Sequence, residues 1–327
     1  MQIIHLDPKN PPPLPKIALT IGNFDGVHLG HKTMLYALKN MASQQHLHTA
    51  VMIFEPQPRE FFAPNNPPAR LSNLAEKSAI IKKLDIDYLL VVDFNDEFRS
   101  LSALDFTQLL KKLNANHLML GDDFRFGHDR LGDKNFLQNQ GFIVDNLTTI
   151  CHQNTRISST QIRHALSLGD LTTAKTLLGQ DYSIEGTVVH GDKIGRTLGF
   201  PTANISLSRL KPALKGVFGA NVLFFNQNDE LIKPCDLTHS HHKGILGIHP
   251  NSLLGAVNIG TRPSIHGADY RLEVYFPDFD GNLYGLTAQV IFLHYLHDEK
   301  KYADLSTLQS AIGNDIKAIL DWQKAVK

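Results

Sequence analysis

Short apolar, β-branched runs recur along the first half of the chain, at residues 17–21, 49–54, 88–94, 117–120 and 142–147. Each is bounded by polar or turn-forming residues and predicts a strand. Between them lie helix-like stretches at 31–44, 75–84, 102–113 and 134–139. Strand–helix alternation predicts a parallel sheet with helices on both faces, the α/β class with a Rossmann-like layout. Two short helices follow, at 159–168 and 170–178. The pattern changes after Gly179. Short strands broken by glycine-rich turns are predicted at 182–190, 217–225, 254–258, 270–276 and 286–294, and one helical stretch, 303–323, closes the chain. Many strands and one terminal helix predict a small antiparallel β-barrel. The expected domains are therefore 1–181 and 182–327. The polar stretch 226–250 reads as a long loop.

Composition narrows the class. At 327 residues the chain has room for about two domains of roughly 150 residues each. Lys+Arg and Asp+Glu are 32 each, so no global field draws the protein to nucleic acid or to an anionic membrane. The two cysteines, Cys151 and Cys235, are too few for a disulfide framework or a cysteine zinc site and fit a reducing compartment. No apolar run approaches the ~20 residues that span a bilayer. Residues 1–16 are polar and proline-rich, without an apolar signal core. These features predict a cytoplasmic protein. Self-association has no signature in the sequence.

The first candidate chemistry follows the strand at 17–21. The chain runs Gly22-Asn23-Phe24-Asp25-Gly26-Val27-His28-Leu29-Gly30-His31 and then enters a helix. The glycines allow a tight turn and close backbone approach to a ligand. A helix N-terminus after a first strand offers free amides and a positive dipole end. His28 and His31, three residues apart, point to one side of that entry turn. Two imidazoles beside free amides suit a triphosphate. A P-loop and a Gly-x-Gly-x-x-Gly fingerprint are both absent. The string resembles the His-x-Gly-His signature of the nucleotidyltransferase superfamily. With Phe24, Asp25 and Gly26 ahead of it, it resembles the adenylyltransferase module of prokaryotic bifunctional riboflavin kinase/FAD synthetases.

Two more segments agree with that resemblance. Gly121-Asp122-Asp123-Phe124-Arg125-Phe126-Gly127 ends a predicted strand, where open sheets bind ligands. The family has a similar segment lining its nucleotide and flavin site. Arg156-Ile157-Ser158-Ser159-Thr160-Gln161-Ile162-Arg163 resembles the family's second phosphate-binding motif. Ser158 or Ser159 would cap the next helix, Arg156 would add a bidentate phosphate donor, and Thr160 and Arg163 complete the string.

The C-terminal half carries Gly191-Asp192-Lys193-Ile194-Gly195-Arg196-Thr197-Leu198-Gly199-Phe200-Pro201-Thr202-Ala203-Asn204. Glycines beside Lys193 and Arg196 make a loop whose amides can wrap phosphates. Thr202 and Asn204 face the same way on an extended segment, and their oxygens suit Mg²⁺. The string resembles the riboflavin kinase signature, in which Gly199, Phe200, Pro201, Thr202, Ala203 and Asn204 match the most specific part. Gly216-Val217-Phe218, Asn258 to Pro263, and Leu272-Glu273-Val274 match the same family in the same order. Taken alone, Glu273 reads as the solvent side of an alternating strand. By the resemblance it is the base on the riboflavin hydroxyl. Two features depart from the family pattern. His297 stands where an arginine is often seen. The segment 235–249 is long and carries Cys235, His239, His241 and His242, a set that reads as a solvated insertion or a metal site.

The resemblance implies a bifunctional enzyme. Riboflavin is phosphorylated by ATP to FMN, and FMN is adenylylated by a second ATP to FAD with release of pyrophosphate, Mg²⁺ assisting. The partners are these small molecules. Two other readings are a nucleotidyltransferase for another substrate and a flavin-binding regulator without catalysis. The riboflavin kinase signature argues against the first. Intact His28, His31, Thr202, Asn204 and Glu273 argue against the second.

Overall fold

The computed structural model describes residues 1–146, 151–152, 155–191, 194–264 and 267–326. For 151–152, 155–156, 194, 197, 262–264 and 267–269 it describes backbone only. Packing divides the chain into two units: Met1–Pro68 with Ser72–Ser159, and Ala69–Leu71 with Thr160–Lys327.

The first unit is built on a six-stranded sheet of β1 (Gln2–Leu6), β2 (Ile17–Ile21), β3 (His48–Glu55), β4 (Tyr88–Asp93), β5 (Ala115–Leu120) and β6 (Ile143–Asn146), in the order β1-β4-β3-β2-β5-β6. Every pairing is parallel. The helices are α1 (Leu29–Gln44), α2 (Pro58–Phe62), α3 (Leu74–Lys82), α4 (Asp96–Arg99), α5 (Ala103–Lys112) and α6 (Lys134–Asn139). A two-residue hairpin, β7 (Cys151–His152) and β8 (Thr155–Arg156), precedes α7 (Ser159–Ser167). Successive strand residues alternate between two cores. Leu19, Met52, Leu90 and Leu118 pack in one, and Val51, Ile53, Leu89 and Val91 in the other. A parallel sheet covered on both faces needs this doubled apolar pattern. The edge strand β1 was not expected, because residues 1–16 read as a polar tail. Its register with β4, from Gln2 opposite Tyr88 to Leu6 opposite Val92, supplies what its own sequence lacks.

The second unit opens with the rest of α7 and with α8 (Leu171–Leu178), which Gly179 ends in a left-handed turn at φ 72. The barrel strands are β9 (Ser183–Val189), β10 (Thr202–Ile205), β11 (Gly216–Phe225), β13 (Leu253–Ser264), β14 (Gly267–Tyr275) and β15 (Thr287–His297). A short turn of helix, α9 (Ile194–Thr197), precedes β10, and a two-residue strand, β12 (Leu231–Ile232), pairs with the end of β11. The order is β12-β11-β13-β14-β10-β9-β15, and β15 pairs back onto β11, closing six antiparallel strands. Ile184, Phe218, Val222, Val257, Leu272, Val274, Val290 and Phe292 fill the core. The insertion 235–249 is tied down at several points. Asn221, wholly buried, accepts from the amides of Ile248 and His249. His242 Nδ1 lies 2.6 Å from the Asp278 carboxylate. Among the described residues no three histidine, cysteine, aspartate or glutamate side chains are grouped to hold a metal.

The C-terminal helix, α10 (Leu305–Val326), closes on the barrel through buried Ile319 and Gln323. Gly219 leaves room for Ile319, since a Cβ there would stand 3.3 Å from its Cγ2. Trp322 stacks flat on His294 of β15, with ring centroids 5.1 Å apart and planes 3° apart. Burial holds the His294 imidazole below its ordinary value of 6.5. The unfolded chain therefore binds a proton more readily than the folded one. The stabilisation is complete above about pH 6.5 and is lost as the pH falls through the lowered folded value. Trp322 is the chain's one tryptophan, so its fluorescence reports this contact. Acidification from pH 7.5 should change the emission in a step below about pH 6.5. His294→Gln should remove that step while leaving the far-ultraviolet circular dichroism intact.

Candidate active sites

In the first unit, β2 is followed outward on one side by β3 and β4 and on the other by β5 and β6. The order of the strands reverses between β2 and β5, and ligands of such sheets bind beyond the carboxyl ends of the strands at that switch. The two loops singled out in the sequence, 22–31 after β2 and 121–127 after β5, flank it. The second loop also approaches the helix that follows the first: Gly121 stands 4.0 Å from the Met34 methyl on α1, as measured from where its Cβ would be.

The turn after β2 is strained. Phe24 sits at φ 48, Val27 at φ 38 and Gly26 at φ 78. Positive φ at a β-branched residue is an outlier that surrounding structure must hold in place. The Asp25 carboxylate, buried, accepts from the Ser72 amide at 3.1 Å, and Ser72 Oγ accepts from the Gly26 amide at 2.8 Å. The Ser159 hydroxyl donates to the Asp25 carbonyl at 3.0 Å, which ties the start of α7 to the same turn. Asp25 thus fixes the turn from within.

His28 is the N-cap of α1. Its Nδ1 accepts from the His31 amide at 3.3 Å, and the two imidazoles stack with centroids 3.7 Å apart. An accepting Nδ1 assigns the proton of the neutral ring to Nε2. A buried N–H donor is thereby fixed at the N-terminus of α1, the end of a helix where anions bind. Gly30 faces the His28 ring at 3.2 Å and the Ile157 carbonyl at 3.8 Å, measured from its Cβ position. Ile157 and Ser159 therefore run along this turn. Further on, Thr160 is exposed and Arg163 Nε donates to the Ala69 carbonyl at 2.6 Å. The side chain of Arg156 lies outside the described residues.

On the β5 side, Asp122 and Asp123 are exposed. Phe124 lies over the buried ring of Phe126 with centroids 5.8 Å apart. Gly127, at φ 74, must be glycine, since a Cβ there would come within 2.7 Å of the Ala103 amide nitrogen. An aromatic ledge at the ends of β3 and β4 was not foreseen. Phe54, Phe61, Phe62, Phe94 and Phe98 meet edge to face or tilted. The Arg99 guanidinium stands 5.9 Å from both the Phe61 and Phe62 rings, and Phe62 is 62% exposed. The signal was present as two adjacent phenylalanines just after Pro56-Gln57-Pro58, a turn with apolar bulk and no core position to fill.

In the second unit the candidates gather on the outer face of the barrel. Along β14, Leu272 and Val274 are buried, while Arg271, Glu273 and Tyr275 point the other way and are half-exposed. Glu273 does lie on the outward side of an alternating strand, but that side is not plain surface. Asn204 of β10 and Asn258 of β13 lie directly opposite it on either flank, and Thr202 lies opposite Tyr275. The glycine-rich loop packs against this row. A Cβ on Gly191 would collide with the Asn204 amide. One on Gly195 would strike the Phe200 carbonyl and stand 3.3 Å from Thr202 Oγ1. Gly199 takes φ 83 to close the turn, in which the Phe200 amide donates to the Gly195 carbonyl at 2.8 Å. The Phe200 ring meets Tyr275 edge-on at 5.4 Å, and Arg196 and Pro201 are exposed. Among the described residues neither Thr202 nor Asn204 makes a side-chain hydrogen bond. Lys193 lies outside the described residues.

Comparison with known proteins matches both halves of the chain. Residues 11–161 match the FAD synthetase family model and residues 178–323 the riboflavin kinase model. The chain is 40% identical over 303 residues to the bifunctional riboflavin kinase/FMN adenylyltransferase of Escherichia coli K12, covering 91% of this chain and 90% of that protein. The Pseudomonas fluorescens enzyme of the same name is 41% identical over 306 residues, covering 91% and 90%. A crystal structure from Streptococcus pneumoniae titled a macrolide-efflux protein superposes with TM-score 0.74 at 27% identity, covering 98% of this chain and 99% of that one. In the present chain no described helix is long and apolar enough to cross a membrane. Two family models in tandem, and bacterial relatives matched along nine-tenths of their length, place the chain in the bifunctional riboflavin kinase/FMN adenylyltransferase family.

Proposed function

We propose that each unit carries one of the family's two reactions, on the residues described above. The observation that carries this is the packing of Gly191 and Gly195 onto Asn204 and Thr202, in register with Glu273. A phosphate-wrapping loop, two hard oxygens and a carboxylate thus share one surface, the set that phosphoryl transfer needs. Thr202 and Asn204 would hold Mg²⁺, and their donor chemistry fits it; when bound, the ion neutralises phosphate charge. Glu273 accepts the proton of riboflavin's terminal hydroxyl. The hydroxyl oxygen bonds to the γ-phosphorus of ATP and ADP leaves. The loop amides, with Lys193 and Arg196, hold the phosphates.

In the first unit the FMN phosphate is already a nucleophile. Its oxygen bonds to the α-phosphorus of ATP and the bond to pyrophosphate breaks, with no base required. The His28 Nε2 proton, His31, the α1 amides, Arg156, Ser158 and Ser159 neutralise the charge that builds on the phosphates. Gly22, Gly26 and Gly30 let the backbone approach them. The segment from Gly121 to Gly127 and the ledge at Phe62 offer flat aromatic surface for the isoalloxazine ring. Incubation with riboflavin and Mg-ATP, followed by chromatography, should show FMN first and FAD after it. FMN adenylylation without riboflavin phosphorylation would remove the second-unit assignment.

We also propose that the barrel works without the adenylyltransferase, with the boundary near residue 181. Residues 182–327 expressed alone should convert riboflavin to FMN and make no FAD. That piece lacks residues 160–181, with α7 and α8, as well as Ala69–Leu71 of the same unit, so among its losses Tyr182 gives up the Leu71 carbonyl as acceptor and Arg209 the carbonyls of Arg70 and Leu71. At about 0.5–1.5 kcal/mol for each hydrogen bond, it should melt below the full chain yet remain folded. A soluble but inactive fragment beside an active full chain would contradict separate modules.

A further inference from the structure

The outward row Asn204–Glu273–Asn258 holds one residue with no role so far. Asparagine is depleted in strand interiors, and Asn258 stands in the middle of β13, between buried Val257 and Ile259. A residue that breaks the local preference without a packing reason marks function. Asn258 is half-exposed and makes no side-chain hydrogen bond among the described residues. It lies directly opposite Glu273 on one side and Val217 on the other. Its Nδ2 leans toward bare Gly260, at 3.5 Å from the Cβ position there. The Glu299 carboxylate beside that glycine is engaged elsewhere, accepting from the Thr261 amide at 3.4 Å.

We infer that Asn258 is a specificity-determining residue for the kinase reaction. It binds the secondary hydroxyl next to the one that Glu273 deprotonates on riboflavin's polyol chain. Residues directly opposite in an antiparallel pair have Cβ atoms about 4.5–5.5 Å apart, so two such side chains reach neighbouring hydroxyls of one chain. An amide both donates and accepts, as a hydroxyl does, and it carries no charge to compete with Glu273 for a proton. The pair therefore reads a polyol rather than a single alcohol and fixes which oxygen meets the phosphate.

This inference rests on Glu273 being the base, so the test varies both residues against two substrates. One is riboflavin. The other is an ω-hydroxyalkyl flavin of the same chain length, which keeps the terminal hydroxyl and lacks the secondary ones. The unaltered enzyme should prefer riboflavin in kcat/KM, and Asn258→Ala should collapse that preference by about tenfold, nearly all of it lost on riboflavin. Asn258→Val, an apolar strand former, should do the same and serves if the alanine variant does not fold. Equal loss on both flavins, or an unaltered preference, overturns the inference. Glu273→Gln separates the two claims, because it should abolish turnover of both flavins. If it does so while Asn258→Ala and Asn258→Val keep the preference, only the role of Asn258 fails. If Glu273→Gln stays active, the base assignment fails, and the role of Asn258 with it.

Discussion

Replacing Glu273 with glutamine is expected to cut riboflavin phosphorylation by about 10²–10⁴-fold, roughly 3–5 kcal/mol of barrier, while supplied FMN is still converted to FAD. The amide is near-isosteric and keeps the strand pairing with β10 and β13, but it cannot accept the hydroxyl proton at neutral pH. A residue that only decorated the outside of the barrel would behave otherwise, since surface substitutions usually change stability by within about 0.5 kcal/mol. Glu273 sits between two asparagines, with Thr202 and the glycine-rich loop beside them, and this neighbourhood sets the expectation apart from the surface case. The two reactions are measured separately on one sample, starting from riboflavin or from FMN. Kinase activity close to the parent's would move the search for a base elsewhere on the barrel.

How much of this was legible in the sequence differs from element to element. The strand 17–21, the turn after it and the helix beginning near His28 were readable because local signals agree there: a buried apolar run, glycines, then a helical stretch. The edge strand β1 was not, because Gln2–Leu6 is held by pairing with β4 and its own burial is slight. The strand β10 was not among the predicted strands; the sequence only placed Thr202 and Asn204 on one side if their segment is extended. The pairing of β10 with β14 could not be read locally, because the register that sets Asn204 and Asn258 beside Glu273 is a long-range fact. Glu273 shows the limit most plainly. An acidic residue alternating with Leu272 and Val274 gives the same pattern on an idle surface and on a catalytic one. The aromatic ledge was overlooked for a related reason. Phe61 and Phe62 lie on a five-residue helix, too short to show a period, and they gain meaning only beside Phe94 and Arg99.

His28→Ala should lower conversion of FMN to FAD by about 10²-fold or more, of order 3 kcal/mol, and leave riboflavin phosphorylation nearly as it was. The alanine variant alone would leave two explanations standing, because His28 both caps α1 and presents its Nε2 proton. Losing an N-cap costs about 0.5–2 kcal/mol of helix stability, enough to disturb the turn. Asparagine separates the two roles. It is among the best N-cap residues, so His28→Asn should restore the bond to the His31 amide and the melting temperature, yet its short side chain carries no donor to where Nε2 stood. If charge on the departing pyrophosphate is met by that donor, His28→Asn folds like the parent and stays as slow as His28→Ala in FAD formation. Recovery of FAD synthesis in the asparagine variant would reduce His28 to a helix cap and pass the phosphate contact to His31 and the α1 amides. Equal loss of both reactions in the alanine variant would mean that the two sites do not act independently.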